Sequence, residues 1–317
     1  MTPRKPRITV VGSFNFDLVI KTERRPQKGE TLIGQSFGMF VGGKGFNQAV
    51  AAARLGAQVS MVGKLGVDYF GERFLQALQV EGIDSSHVYQ DETSHTGVGT
   101  PVIDSHGDNS IIIVPGANLK LTPADVDEAA NLIQQADMLM LQLEVSLDAT
   151  LRAAEIAHQA GVPVMLNPAP AQKLPESLLK CVSCLTPNET EAQILTGTSV
   201  ADDTSAAQAA RYLLEHGVGM VVVTLGERGS LVADGKTVRR VPAYPVKVVD
   251  TTAAGDAFCA GLAVQLAQKQ PPDTALRFAN AAGALATTVM GAEPSMPHLA
   301  ELLDFLAAQK TPQTVTI

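Results

Sequence analysis

Five short apolar runs punctuate the chain: ITVVG (8–12), VSMVGKLG (59–66), MLMLQLE (138–144), VPVMLNP (162–168) and MVVVTLG (220–226). Each ends in Gly, Pro or a polar residue. Apolar runs without polar alternation suit strands covered on both faces, as in a parallel sheet. Helical patterns lie between them. Asp68 can cap a helix carrying Phe70, Phe74, Leu75 and Leu78. Thr122 followed by Pro123 reads as an N-cap with proline at the first helical position. Asn188 and Glu191 have the spacing of a capping box ahead of Ile194 and Leu195. Strands alternating with helices of this length predict βαβ units.

Two stretches break the rhythm. Residues 17–41 and 96–114 lack helical periodicity and predict β-hairpins, with turns near Pro26–Gly29 and His106–Asn109. The expected fold is α/β: a three-layer sandwich with a largely parallel central sheet and a small β-sheet lid. The lid, made of the two insertions, belongs to one domain spanning 1–317. Ligands of open α/β sheets bind at the carboxyl ends of the strands, so a lid there would cover an active site.

Composition narrows the function. The formal charge is −8 and the basic residues are spread out, which argues against nucleic acid and anionic membranes as partners. The apolar runs are too short to span a bilayer. Three cysteines and no secretory signal fit a reducing cytoplasm. Cys181 and Cys184 form C-x-x-C, but there is no second pair and no nearby His, so zinc or redox chemistry is disfavoured. The six histidines are scattered.

Two stretches carry candidate chemistry. In VVDTTAAGDAF (248–258) a strand-like run leads through small residues into an apolar helical run. Such a turn offers free backbone N–H groups and a positive helix end to a phosphate. The plain alternative is a tight turn with an ordinary acidic first-turn residue, Asp256. In FVGGKGFNQAVAAARLGA (40–57) glycines surround Lys44 ahead of an Ala-rich helix. It is not a Walker A loop, because no Ser or Thr follows the lysine. The first strand lacks GxGxxG, which counts against a dehydrogenase.

Together with VVGSFNFDLV, LNPAP (166–170), TPNETE (186–191) and VVTLGERG (222–229), these stretches resemble the ribokinase (PfkB) family of sugar kinases, from about residue 8 to about 308. NFD near the start, LQLE (141–144) and the N-Q-A after GGKG point to its ribose-phosphorylating members.

The resemblance implies that a sugar hydroxyl attacks the γ-phosphate of ATP. Asp256 would be the general base, and the backbone N–H groups of Ala253, Ala254 and Gly255 an anion hole. Asn15, Asp17, Gly43, Lys44, Asn47, Glu144 and Asp256 would line the sugar site. Asn188, Thr224, Gly226, Gly229, Gly255 and Asn280 would bind the nucleotide. K⁺ would be held by Asp250, Thr252, Ala286, Val289, Gly291 and Ser295. Mg²⁺ would arrive with ATP, touching Glu191 through water. The family also implies a homodimer formed through the lid.

Three residues depart from the pattern. Ala253 stands where most members have Gly. Phe16 separates Asn15 from Asp17 and is expected to point away from them. Phe46 follows Gly45, where ribose kinases usually have Ala, close enough to the sugar motif that it could trim the pocket. Ribose is the favoured substrate; 2-deoxyribose, fructose or a nucleoside is the alternative. A catalytically inactive sugar-binding sensor is the non-enzyme alternative.

Overall fold

The computed structural model describes residues 4–106 and 109–317. Fourteen strands are found among these residues: β1 (Arg7–Val11), β2 (Asn15–Lys21), β3 (Ser36–Gly42), β4 (Gln58–Gly66), β5 (Asp84–Asp91), β6 (Gly97–Ile103), β7 (Asn109–Val114), β8 (Met138–Leu141), β9 (Val164–Leu166), β10 (Cys184–Leu185), β11 (Val221–Thr224), β12 (Ser230–Ala233), β13 (Val238–Val241) and β14 (Val315–Thr316). Ten of them form one sheet in the order β14-β13-β12-β11-β10-β9-β8-β1-β4-β5. It is parallel from β5 to β11 and antiparallel from β11 to β14.

The continuous apolar runs are explained by cover on both faces. Val10, Met61 and Met140 face one core, packed with the helices Lys44–Arg54, Ala254–Ala267 and Pro272–Ala286. Their neighbours Val11, Val62 and Leu141 face a second core, packed with the helices Leu147–Gln159 and Asp203–Glu215. The sheet therefore has helices on both sides, making the three expected layers. The expected caps are present. Asp68 accepts from the N–H of Gly71, and capping boxes join Thr122 with Asp125 and Asn188 with Glu191.

The other four strands form a small separate sheet in the order β3-β2-β6-β7. It is built from the two stretches expected to interrupt the α/β rhythm, with the first extended to Asn15 and Gly42, which pair across it. A turn falls at Lys28–Gly29, where Gly29 has φ 82°. The second expected turn lies partly outside the described residues. The small sheet exposes apolar side chains, among them Phe37, Met39, Ile112 and Val114.

Candidate active site

The helix Ala254–Ala267 starts abruptly, because Ala253 takes a left-handed conformation (φ 58°) rare for a residue with a Cβ. Its first N–H groups have no acceptor within the helix. That of Ala254 donates to the carbonyl of Thr251 at 3.3 Å. A Cβ at Gly255 would meet nothing within 4 Å, so the turn faces open space. Asp256, in the first helical turn, is buried.

The GGKG turn reaches the same place from the other end of the chain. Gly43 has φ 92°, and a Cβ there would stand 2.5 Å from the Asn15 nitrogen, so only glycine lets the turn lie against β2. The helix Lys44–Arg54 then aims two amides at Asp256. Asn47 Nδ2 donates to Asp256 Oδ2 at 2.9 Å, and Gln48 Nε2 donates to Oδ1 at 3.0 Å. Two motifs about 200 residues apart thus meet at one carboxylate.

Glu144 gathers residues expected to line the sugar site. Its Oε2 accepts from Ser13 Oγ at 2.6 Å, Asn15 Nδ2 at 3.1 Å and the Lys44 backbone N–H at 3.0 Å. Asn15 Oδ1 accepts from Asn118 Nδ2 at 3.0 Å, which fixes its side-chain amide. Asp17 is enclosed by glycines, since a Cβ at Gly42 or Gly99 would collide with its carboxylate. Burial, and then the charge of Glu144, push the Asp17 pKa up to about 6. Burial alone would lower the Lys44 pKa, but the carboxylates of Asp256, Glu144 and Glu191 outweigh it and hold the pKa above its ordinary value.

Two adjoining cavities open beside Asp256. The first, about 230 Å³, is lined by Lys44, Asp256, Gly255, Ala253, Asn188, Glu191 and Thr224. Glu191 accepts from the Asn188 N–H at 2.8 Å, and burial raises its pKa against that bond and the charge of Lys44. The second, about 570 Å³, is walled by Tyr244, Val246, Val248 and Phe258, with Gly226, Gly229, Gly255, Asn280 and Thr224 at its border. Asn280 donates to the carbonyls of Val241 and Pro242. At Gly229 (φ 94°) a side chain would collide with the same stretch.

Behind the helix start, Asp250 ties two loops together. Its Oδ1 accepts from the Thr252 N–H and hydroxyl at 2.9 and 2.7 Å, and its Oδ2 accepts from the Gly291 N–H at 2.9 Å. Burial would raise the Asp250 pKa; these bonds and the charge of Lys21 lower it instead. Ala286, Val289 and Ser295 lie on the same 286–295 stretch, where the Val289 N–H donates to the Ala286 carbonyl and the Ser295 hydroxyl to that of Ala292.

The pattern shared by pfkB family carbohydrate kinases matches residues 5–299. The chain belongs to that family. As a carbohydrate kinase it is a phosphotransferase acting on a hydroxyl group. Ribokinase of Haemophilus influenzae is 42% identical over 94% of this chain and 98% of its own. Deoxyribokinase of Salmonella typhi is 36% identical over 95% and 98%. The structure of Arabidopsis thaliana ribokinase complexed with ribose and ATP has a TM-score of 0.91 and 36% identity, over 96% of this chain and 100% of that one.

In this carbohydrate kinase the expected site residues fall into three neighbouring groups. Asn15, Asp17, Gly43 and Glu144 surround one carboxylate cluster. Lys44, Asn47 and Asp256 stand at the junction, and the nucleotide-side residues border the cavities. One expectation is corrected. Phe46 does not reach the sugar cluster; it is fully buried, with its ring 5.1 Å from Phe74 and 6.3 Å from Phe14. Phe16 does point away, stacking on Phe70 at 4.4 Å. Sequence reasoning missed Ser13, Gln48, Asn118, Gln142 and Asn167. Gln48 lay inside the quoted N-Q-A, Gln142 inside LQLE and Asn167 inside LNPAP, so proximity to a motif was the available signal. The three cysteines are free, and no group of His, Cys, Asp and Glu able to hold a metal occurs among the described residues. No helix there is long and apolar enough to cross a membrane.

Proposed function

We propose that the chain transfers the γ-phosphoryl group of ATP to the 5-hydroxyl of D-ribose, giving D-ribose 5-phosphate. The observation that carries this reading is the meeting of the GGKG helix and the AAGD turn at Asp256. Asp256 takes the hydroxyl proton as the sugar oxygen forms its bond to phosphorus, and the bond from phosphorus to the departing ADP breaks. The N–H groups of Ala253–Gly255 lie where the transferred group develops charge. Asn15, Asp17, Gly43, Lys44, Asn47 and Glu144 hold the sugar. The apolar cavity bordered by Thr224, Gly226, Gly229 and Asn280 takes the nucleotide, and Asn188 flanks its phosphates.

The donor sets fit the two implied cations. Glu191 has Oε2 bonded to Asn188 and Oε1 left for a water on nucleotide-borne Mg²⁺. Thr252 and Gly291 are bonded to Asp250, and Ala286, Val289 and Ser295 lie on the same 286–295 stretch; carbonyl and hydroxyl oxygens from these residues would suit K⁺. A monovalent cation there would add positive charge behind the anion hole. Activity should rise when K⁺ replaces Na⁺ at constant ionic strength, and Asp250→Ala should remove most of the rise; a flat wild-type response would abolish the site.

The whole chain acts as one catalytic domain, with the small sheet as a lid. Its apolar face suits a homodimer, and the free thiols suit a cytoplasmic setting. Sedimentation as a monomer at micromolar concentration would rule the dimer out. The similarity to deoxyribokinase keeps 2-deoxyribose as the second reading. A coupled ATP-consumption assay across ribose, 2-deoxyribose, fructose and nucleosides tests the choice. Ribose should give the highest kcat/KM; equal or reversed preference for 2-deoxyribose would sink the ribose assignment.

A further inference from the structure

The carboxylate of Asp256 is held by more than the residue next to the sugar cluster. Gln48 is 1% exposed and Gln142, just past the end of β8, is 0% exposed, so both amides are buried. Gln142 Nε2 donates to Gln48 Oε1 at 2.6 Å. Gln48 Nε2 donates to Asp256 Oδ1 at 3.0 Å and to Asn167 Oδ1 at 3.3 Å. Asn167 Nδ2 in turn donates to the Thr186 carbonyl at 3.0 Å. Charge fixes the direction of this chain. An ionised carboxylate only accepts, so Gln48 must turn its N–H groups to Asp256 and its carbonyl to Gln142. Gln142 must then donate, which leaves its own Oε1 buried with no donor among the described residues. Such orphans are costly and rare, and this one is retained in the network that reaches the base.

We propose that Gln48 is a positioning residue for phosphoryl transfer, oriented by Gln142, and that it holds the Asp256 carboxylate aimed at the acceptor hydroxyl. The proposal rests on Asp256 being the base. Two N–H donors from adjacent residues of one helix, one on each oxygen, fix the carboxylate plane, whereas Asn47 alone would leave it free to rotate. The other titratable groups facing Asp256 are Lys44 on the Asn47 helix, Glu191 on the helix Glu189–Thr196 and Cys259 one turn along its own helix.

The test uses the full-length enzyme with ribose and ATP. Gln48→Met keeps length but loses both amide groups. Its kcat should fall at least about tenfold, a part of the 10²–10⁴ that a general base supplies. The loss should fall on kcat, while KM for ribose and KM for ATP each change by less than threefold. Gln142→Met should lose less, and combining it with Gln48→Met should cost nothing further, because it acts through Gln48. Should Gln48→Met fail to fold, Gln48→Asn, one methylene too short to reach Asp256, is expected to show the same loss. Wild-type kcat in the folded Gln48 variant, or a loss that falls equally on kcat and both KM values, beside an inactive Asp256→Asn enzyme, would overturn the positioning role alone. An active Asp256→Asn enzyme would overturn the base assignment beneath it.

Discussion

The proposed sugar side and nucleotide side of this site are built on opposite plans. On the sugar side, polar side chains are already bonded to one another. Ser13, Asn15 and the Lys44 N–H converge on Glu144, while Asn118 secures Asn15 and two amides secure Asp256. On the nucleotide side, the larger cavity is walled by Tyr244, Val246, Val248 and Phe258, with glycines and the side chains of Thr224, Glu227, Thr251, Asn280 and Thr287 at its border. Buried polar groups that lose a hydroxyl partner stay unpaired, so a site built to bond hydroxyls can discriminate by ~10⁴–10⁵, whereas an apolar wall discriminates by ~10–200-fold per methylene. Selectivity should therefore be concentrated in the sugar, and tolerance in the base of the nucleotide.

The strongest way to break this division is at the carboxylate the two sides share. Asp256→Asn keeps size and shape but has no useful basicity. Its kcat should fall by ~10²–10⁴ or more, while calorimetry shows ATP-analogue binding intact and ribose binding only modestly weaker. Near-normal kcat would remove Asp256 from the mechanism, and lost ATP binding with poor folding would make it a helix-start residue only.

Acidity offers a finer cut. In the sugar site proposed above, Asp17 would accept hydroxyls fully only when ionised, and its pKa is pushed up to about 6 by burial and then by Glu144. The KM for ribose should therefore rise as pH falls through about 6, while KM for ATP stays flat. Asp17→Asn should flatten the ribose response, and an equal rise in both KM values would place the titration elsewhere. The stability effect has the opposite sign. The folded state holds this proton more tightly than the unfolded chain, so the contribution of Asp17 is present at low pH and is lost as pH rises through about 6.

The smallest expected effect belongs to the anion turn. Ala253 is left-handed at φ 58°, a conformation costing about 1–2 kcal/mol for a residue with a Cβ. Ala253→Gly removes that strain but adds about 0.5–1 kcal/mol of unfolded-state freedom. Stability should change by less than ~1 kcal/mol in a denaturant titration, and kcat by less than threefold. A large loss of kcat would mean that the Ala253 methyl itself shapes the site.

What could be read from the sequence divides along similar lines. The strands β1, β4, β8, β9 and β11 were legible because cover on both faces leaves an uninterrupted apolar run. β5, reading DSSHVYQD, was not, since an edge strand need not be apolar, and β10 and β14 are two residues each. The GGKG and AAGD turns stood out through their joint occurrence and the family resemblance, since each alone also reads as an ordinary turn. Gln48 and Gln142 were not, because their role is set by pairing across 208 and 94 residues, which no local pattern records. Phe46 was misjudged for the same reason: closeness in sequence to Lys44 says nothing about which side of the helix its ring occupies.

The polar composition of β5 also bears on how the molecule avoids sticking to itself. A ten-stranded sheet would expose unpaired backbone along both margins, a template for adding strands from another molecule. Here one margin carries Asp84, His87 and Asp91, and the other ends in the two residues of β14. Charged or very short margins are the usual protection against edge-to-edge growth. The main body is thus guarded against fibril-like addition, and the homodimer proposed above would have to form on the small sheet, where Phe37, Met39 and Ile111–Val114 are left uncovered.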